Sequence, residues 1–285
     1  MRRFLAPILV TLAIVALFAG IGVWAFSGVF SAQSGDSTES GSRSEGGPGP
    51  SVNNREDDED FGEVAVYDVL ADGTLDPQAE GVTAEVWDLW VRLIGAETAG
   101  QSIIQFRAGD APDSDTLAYV YQDEDPQYFT LAINLATADD PQLLVSTLVH
   151  EYAHVFSFAP AEFDTQASSC DTIALAEGCA FGDSYLWAFY EAFWAGYAEH
   201  PDLENVDEDI AYEFYLANED DFISDYAATN FSEDFAESFM TFVIEDDWSA
   251  DSPTGAKLEF FMQHPELVEL REQMRARAPR ELGLG

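Results

Sequence analysis

Lysine is nearly missing from this sequence: Lys257 is the only one in 285 residues. Lysine and arginine together number 11 against 54 acidic residues, a formal net charge of −43. Such a surface repels phosphate backbones and anionic headgroups, which argues against nucleic acid or an anionic membrane surface as partner. It reads instead as a solvated acidic surface suited to high salt. Histidine is scarce as well. Only His150, His154, His200 and His264 are present, so few ligand combinations exist for a metal. The two cysteines, Cys170 and Cys179, are not spaced as a zinc-binding pair. There is no internal repeat.

Long apolar runs are also lacking, with one exception. Phe4–Phe30 carries no charge and follows Arg2 and Arg3. It exceeds a signal-peptide core of about 7–15 residues and reaches the roughly 20 needed to span a bilayer. Residues 1–30 are therefore expected to be a cytoplasmic stub and transmembrane anchor, uncleaved, in contact with the lipid bilayer. The two arginines orient it with the N-terminus inside, which puts the remainder of the chain outside the cell membrane. Residues 31–60 are rich in Ser and Gly, nearly free of apolar side chains and end in an acidic cluster. They cannot offset chain entropy by burial and are expected to form a disordered linker.

With 47% hydrophobic residues, the chain can bury a substantial core. The folded domain is expected over residues 61–285. Helical spacing predicts a helix at Ala84–Ile94. Strands are expected at Ser102–Arg107, Leu117–Tyr121 and Tyr128–Leu135. Beyond Asp140 the pattern is helical: Pro141–Ser157, Asp183–Ala198, a run within Asp207–Leu216, Glu233–Ile244, and one or two helices within Lys257–Arg277. A few strands followed by many helices is an α+β arrangement. The aromatic run Tyr185–Tyr197 has helical spacing and reads as core rather than a carbohydrate platform.

The helix Pro141–Ser157 contains His150-Glu151-Tyr152-Ala153-His154. Asp140 suits its N-cap and Pro141 its first turn. Histidines four apart share a helical face and can reach one metal ion. Glu151 sits about 100° round the helix, where its carboxylate can serve as general base. The helix is apolar on nearly all sides, so two histidines and a glutamate there are costly unless a metal or other partners satisfy them. The expected cofactor is Zn2+.

A catalytic zinc needs a third protein ligand and an open position. Ser157 and Pro160 stand where the metzincin pattern requires Gly and His, which rules out that class. Asp225–Val243 offers Glu233 and Glu237, four apart on a helix. On spacing alone Glu233 is either a zinc ligand or the capping-box partner of Asn230. Cys170 and Cys179 enclose a short loop and, outside the membrane, are expected to form a disulfide worth about 2–3 kcal/mol.

The segment Tyr226-Ala-Ala-Thr-Asn-Phe-Ser-Glu233-Asp-Phe-Ala-Glu237 resembles the corresponding stretch of gluzincin metallopeptidases of the anthrax lethal factor type. The resemblance implies a zincin-like fold: a small, mostly antiparallel sheet, then the active-site helix and a helical C-terminal part. It implies Glu233 as third zinc ligand, Glu237 as the acid hydrogen-bonded to a ligand histidine, and Tyr226 as the residue stabilising the oxyanion. It also implies that Tyr128–Leu135 is an edge strand pairing with an extended substrate. The likeness covers only the two helical motifs; residues 155–232 between them form a longer connection than in that peptidase. His-Glu-Tyr-x-His and the Cys170…Gly178-Cys179…Asp-Ser-Tyr-Leu features also resemble uncharacterised anchored bacterial proteins with a zinc-peptidase domain. The expected function is an extracytoplasmic zinc metallopeptidase acting on a peptide or protein substrate. The alternatives are an inactive zincin-like binding module and a zinc amidase acting on a non-peptide or cell-wall amide.

Overall fold

Alternating side chains in Gly62–Val69 (β2) send Val64 and Val66 to one face of a sheet, where they pack with Phe61 and Ala132. The computed structural model describes residues 54–284. The expected anchor, residues 1–30, and the expected linker as far as residue 53 lie outside the described residues. Among the described residues no helix is long and apolar enough to cross a membrane.

The end of the expected linker requires a correction. Arg55–Asp58 (β1) pairs antiparallel with β2, so the ordered domain begins before Phe61. Burial does not hold this acidic strand. Cross-strand charge does: Arg55 pairs with Glu63, and Glu56 takes a 2.6 Å bond from Arg107. Asp58 accepts hydrogen bonds from the Tyr119 hydroxyl and from the backbone N–H groups of Asp60 and Phe61.

The main sheet adds Leu75–Asp76 (β3), Ile103–Gly109 (β4), Ala118–Gln122 (β5) and Phe129–Asn134 (β6). Its order is β1-β2-β4-β6-β5, with β3 paired to β2. All pairs are antiparallel except β4 with β6. The sheet is therefore mixed. Gly81–Ile94 (α1) packs Val86, Leu89, Trp90 and Leu93 into the core, as its spacing predicts, and a short helix, Ala96–Ser102 (α2), leads into β4.

Pro141–Ser157 (α3) follows β6 and packs against β5 and α1. Phe163–Asp164 (β7), Ala174–Leu175 (β8) and Gly178–Ala180 (β9) make a small antiparallel sheet in the order β7-β9-β8, too short to show as a sequence pattern. Gly178 closes the β8–β9 turn at φ +130, where a Cβ would lie 2.6 Å from the Asp164 carbonyl oxygen.

The remainder is helical: Tyr185–Phe193 (α4), Glu208–Ala217 (α5), Phe231–Ile244 (α6), Pro253–Met262 (α7) and Pro265–Arg277 (α8). With these, the described residues form an α+β fold of a small mixed sheet and eight α-helices. Phenylalanines bind the helical layer together. Phe156 of α3 meets Phe235 and Phe239 of α6 edge-on, and Phe189 of α4 meets Phe235 and Phe260. The aromatic run of α4 is thus core, with Phe189 and Trp194 fully buried.

Candidate metal centre

The site lies where α3 and α6 pack together. Asp140 caps α3 by accepting from the N–H groups of Gln142 and Leu143. That sets the helix phase, so His150 and His154 face α6, both buried. Asn230 caps α6 in the same way, accepting from Ser232 and Glu233 N–H. The Glu233 carboxylate does not return to the cap. It turns to the two histidines, so the capping-box alternative does not hold.

His150 Nε2 lies 3.1 Å from Glu233 Oε2 and 3.1 Å from His154 Nε2, and His154 Nε2 lies 3.3 Å from Glu233 Oε2. These three residues form a buried group that can hold a metal ion. The chemistry of the donors supports this. His150 Nδ1 is 2.8 Å from Glu237 Oε1, a contact that takes the Nδ1–H proton and leaves the Nε2 lone pair for the centre. His150 Nε2, His154 Nε2 and Glu233 Oε2 then converge in a buried interior, where no single proton can satisfy all three contacts. A cation among them can.

Electrostatics point the same way. Burial opposes a charged imidazole, yet the hydrogen bonds and charges of Glu233 and Glu237 outweigh it and lift His150 to about 10. Burial likewise opposes a charged Glu233, but His154 and His150 hold its carboxyl well below the usual carboxylate range. The cluster therefore demands positive charge, and a proton and a cation compete for the same nitrogen.

Glu151 differs from its neighbours. Both its carboxylate oxygens are buried without a hydrogen-bond partner among the described residues, as are Glu233 Oε1 and His154 Nδ1. Burial raises the Glu151 carboxyl; His150 and His154 oppose that, Glu233 adds to it, and the Val120 N–H of β5 pulls weakly from outside hydrogen-bond geometry. The Tyr226 ring, half-buried in a 3-10 turn at Tyr226–Ala228, lies 6.0 Å from the His150 ring. All six sequence candidates, His150, Glu151, His154, Tyr226, Glu233 and Glu237, thus gather within one neighbourhood.

Cys170 and Cys179 form a disulfide, apart from the metal-ligand group. His200 bonds the Pro201 carbonyl and packs on Tyr190 and Trp194, while His264 packs on Tyr185 and Phe260. Neither joins the centre. One expectation is corrected. Tyr128–Leu135 corresponds to β6, which is flanked by β4 and β5 and buried along its whole length. The edge strand is β5, because the chain goes out to the edge first and returns inside it. β5 also packs against α3 and adjoins Glu151 through Val120.

Two supports were not legible in the sequence. The Ser224 hydroxyl donates to Glu237 Oε2 at 2.7 Å, holding the carboxylate that holds His150. Lys257 Nζ bonds both oxygens of Asp234, at 2.8 and 2.6 Å, and so anchors α6 beside Glu233. Neither pair has a spacing rule that would reveal it. No protein-family model, curated protein or solved structure matches the chain.

Proposed function

We propose that the chain is a zinc-dependent hydrolase of peptide bonds with a gluzincin-type site, held at the outer face of a membrane. The observation that carries this reading is the convergence of His150 Nε2, His154 Nε2 and Glu233 Oε2 beside the unpartnered carboxylate of Glu151. Two imidazoles and a carboxylate are a donor set suited to zinc. A tetrahedron with bonds of about 2.0–2.1 Å has edges of about 3.3–3.4 Å, close to the 3.1–3.3 Å separations of the three atoms.

A zinc ion held by these residues supplies Lewis acidity, which acidifies water and polarises a carbonyl oxygen. The chain's own groups do the rest. Glu151, with its basicity raised by burial, accepts the proton of the attacking water and passes it to the leaving amine. Glu237 fixes the His150 tautomer. The Tyr226 hydroxyl donates to the developing oxyanion. Among the described residues no strand pairs with the outer edge of β5, which leaves it open to an extended peptide and favours a peptide over other amides. An inactive binding module fits less well, since metal binding alone gives no role to the Glu151 carboxylate beside the three ligands.

The membrane location rests on Phe4–Phe30 and the preceding arginines, and the Cys170–Cys179 disulfide accords with an oxidising compartment. The test is hydrolysis of a broad peptide library by the purified chain, with chelator, and with chelator followed by zinc. The expected result is cleavage that chelation abolishes and zinc restores. Cleavage that survives chelation sinks the zinc chemistry; cleavage of cell-wall amides alone sinks the peptide assignment.

A further inference from the structure

The two histidines of the centre are held by different means. His150 has the Glu237 carboxylate on its outer nitrogen, whereas no hydrogen-bond partner meets His154 Nδ1 among the described residues. His154 has a ring stack instead. The Phe158 ring lies 6.0 Å from the His154 ring between centroids, with the two planes 22° apart. The Phe163 ring lies 5.5 Å beyond Phe158, at 29°. All three side chains are buried, so three nearly parallel rings run from the centre towards the small sheet. A phenyl face against an imidazole fixes the plane of the imidazole, and with it the direction of Nε2. An imidazole that shares its lone pair with a cation is electron-poor, and the negative face of a phenyl ring attracts it more strongly.

The stack is anchored along its length. Phe158 is the C-cap of α3, the point at which the chain turns out of the helix. Its N–H donates to the His154 carbonyl at 2.9 Å, and its own carbonyl accepts from Gln122 Nε2 of β5 at 3.1 Å. A turn closed by the Glu162 N–H on the Ala159 carbonyl brings Phe163 back to Phe158. Phe163 opens β7 and pairs with Ala180 of β9, and the next pair joins Asp164 to Cys179. Cys179 is bonded to Cys170. The strand that pairs with β7 beneath the outer ring is therefore tied down covalently.

We infer that Phe158 is the positioning residue for His154, and that Phe163, on the disulfide-tied sheet, holds Phe158 in place. This rests on the metal-centre reading above. It gives the Cys170–Cys179 bond a part in the centre's geometry although neither cysteine is a ligand.

The test is zinc affinity of the full chain by competition with a chromophoric chelator, together with the proton spectrum of the cobalt-substituted chain, where each ligand histidine gives its own shifted signals. Phe158→Met keeps apolar bulk and loses the ring. It should bind zinc about 2- to 12-fold more weakly, the change that corresponds to one aromatic pair, and move the His154 signals while those of His150 stay put. Phe158→Tyr keeps the ring and should restore both readings. Phe163→Leu, one ring removed from His154, and the double variant Cys170→Ser with Cys179→Ser should change both readings in the same direction but less. Wild-type affinity with unmoved His154 signals in Phe158→Met, or an equal loss in Phe158→Tyr, would overturn the inference and spare the centre. Unchanged readings in both Phe163→Leu and the serine pair would overturn the part given to the small sheet. Failure of the wild-type chain to bind zinc overturns the centre itself. Should Phe158→Met not fold, Phe163→Leu decides: a selective His154 shift supports the inference, and unmoved signals overturn it.

Discussion

His150 Nδ1 and Glu237 Oε1 lie 2.8 Å apart across the contact between α3 and α6, 87 residues apart in sequence. This bond does two things at once. It compensates a buried carboxylate, and it fixes which imidazole nitrogen faces Glu233 and His154. The site is thus built by helix packing, and each helix brings groups that the other's burial would otherwise leave uncompensated.

Removing that support should weaken the centre without abolishing it. Glu237→Ala is expected to lower zinc affinity about 10- to 100-fold, read by chelator competition. Ser224→Ala, which removes the 2.7 Å bond to the other Glu237 oxygen, should have a smaller effect in the same direction. Equal affinity in wild type and Glu237→Ala would show that the tautomer is set some other way.

Glu151 separates metal binding from chemistry. Apart from the weak pull of the Val120 N–H, its oxygens have no hydrogen-bond donor among the described residues, and it is not one of the three converging ligands. Glu151→Gln should therefore keep one zinc per chain by elemental analysis while kcat on a cleaved peptide falls by about 10²- to 10⁴-fold. Loss of the metal in this variant would make Glu151 a ligand, and undiminished turnover would remove it from the mechanism.

Local patterns in the sequence reached a definite depth. α3 runs over Pro141–Ser157 as its cap and apolar spacing predict, because an N-cap aspartate, a proline and a buried helix are all signals within one segment. The histidine pair is legible for the same reason. Glu233 was ambiguous, since Asn230 does cap α6 and only the third dimension shows where the Glu233 side chain goes. β1 leaves no mark in the sequence because the side chains that bond its acids, Arg107 and Tyr119, lie more than 45 residues away. The edge position expected of β6 belongs to β5, because order along the chain does not give order across a sheet. Short polar pairs between distant elements leave no periodic trace, and the Ser224–Glu237 and Lys257–Asp234 pairs are of that kind.

Lys257, the only lysine, is buried, as is its partner Asp234. Its ammonium also bonds the Asp221 carbonyl at 2.6 Å, and Trp194 Nε1 donates to Asp234 Oδ2 at 2.8 Å. Lys257→Met should cost about 3–5 kcal/mol by denaturant unfolding, because it strands a buried carboxylate. The loss should depend on pH. Burial already pushes the Asp234 carboxyl up, against the pull of Lys257, so removing the lysine raises it further. A folded pKa above the unfolded one makes stability fall as pH rises. The deficit should therefore be largest near neutral pH and shrink towards pH 4. A deficit independent of pH would mean that lost packing, not the stranded charge, is responsible.

Three arginines are committed to helix ends in the same way. Arg271 donates to the Phe242 and Glu245 carbonyls, Arg275 to those of Val243 and Ile244, and Arg277 to Leu93. They tie down the C-terminal ends of α6 and α1, where cations suit the helix dipole. Few positive charges are left to offset 54 acidic residues, so the folded surface repels itself. Screening should relieve this, since the Debye length falls from about 10 Å at 0.1 M salt to about 3 Å at 1 M. Calorimetry of the zinc-loaded chain should show Tm rising by about 5 °C or more over that range, a gain on the order of 1–3 kcal/mol. The metal must be held saturating, because any change in occupancy also moves Tm. A flat or falling Tm would mean that the acidic groups are spaced widely enough for water alone to separate them, and that the scarcity of lysine has no bearing on stability.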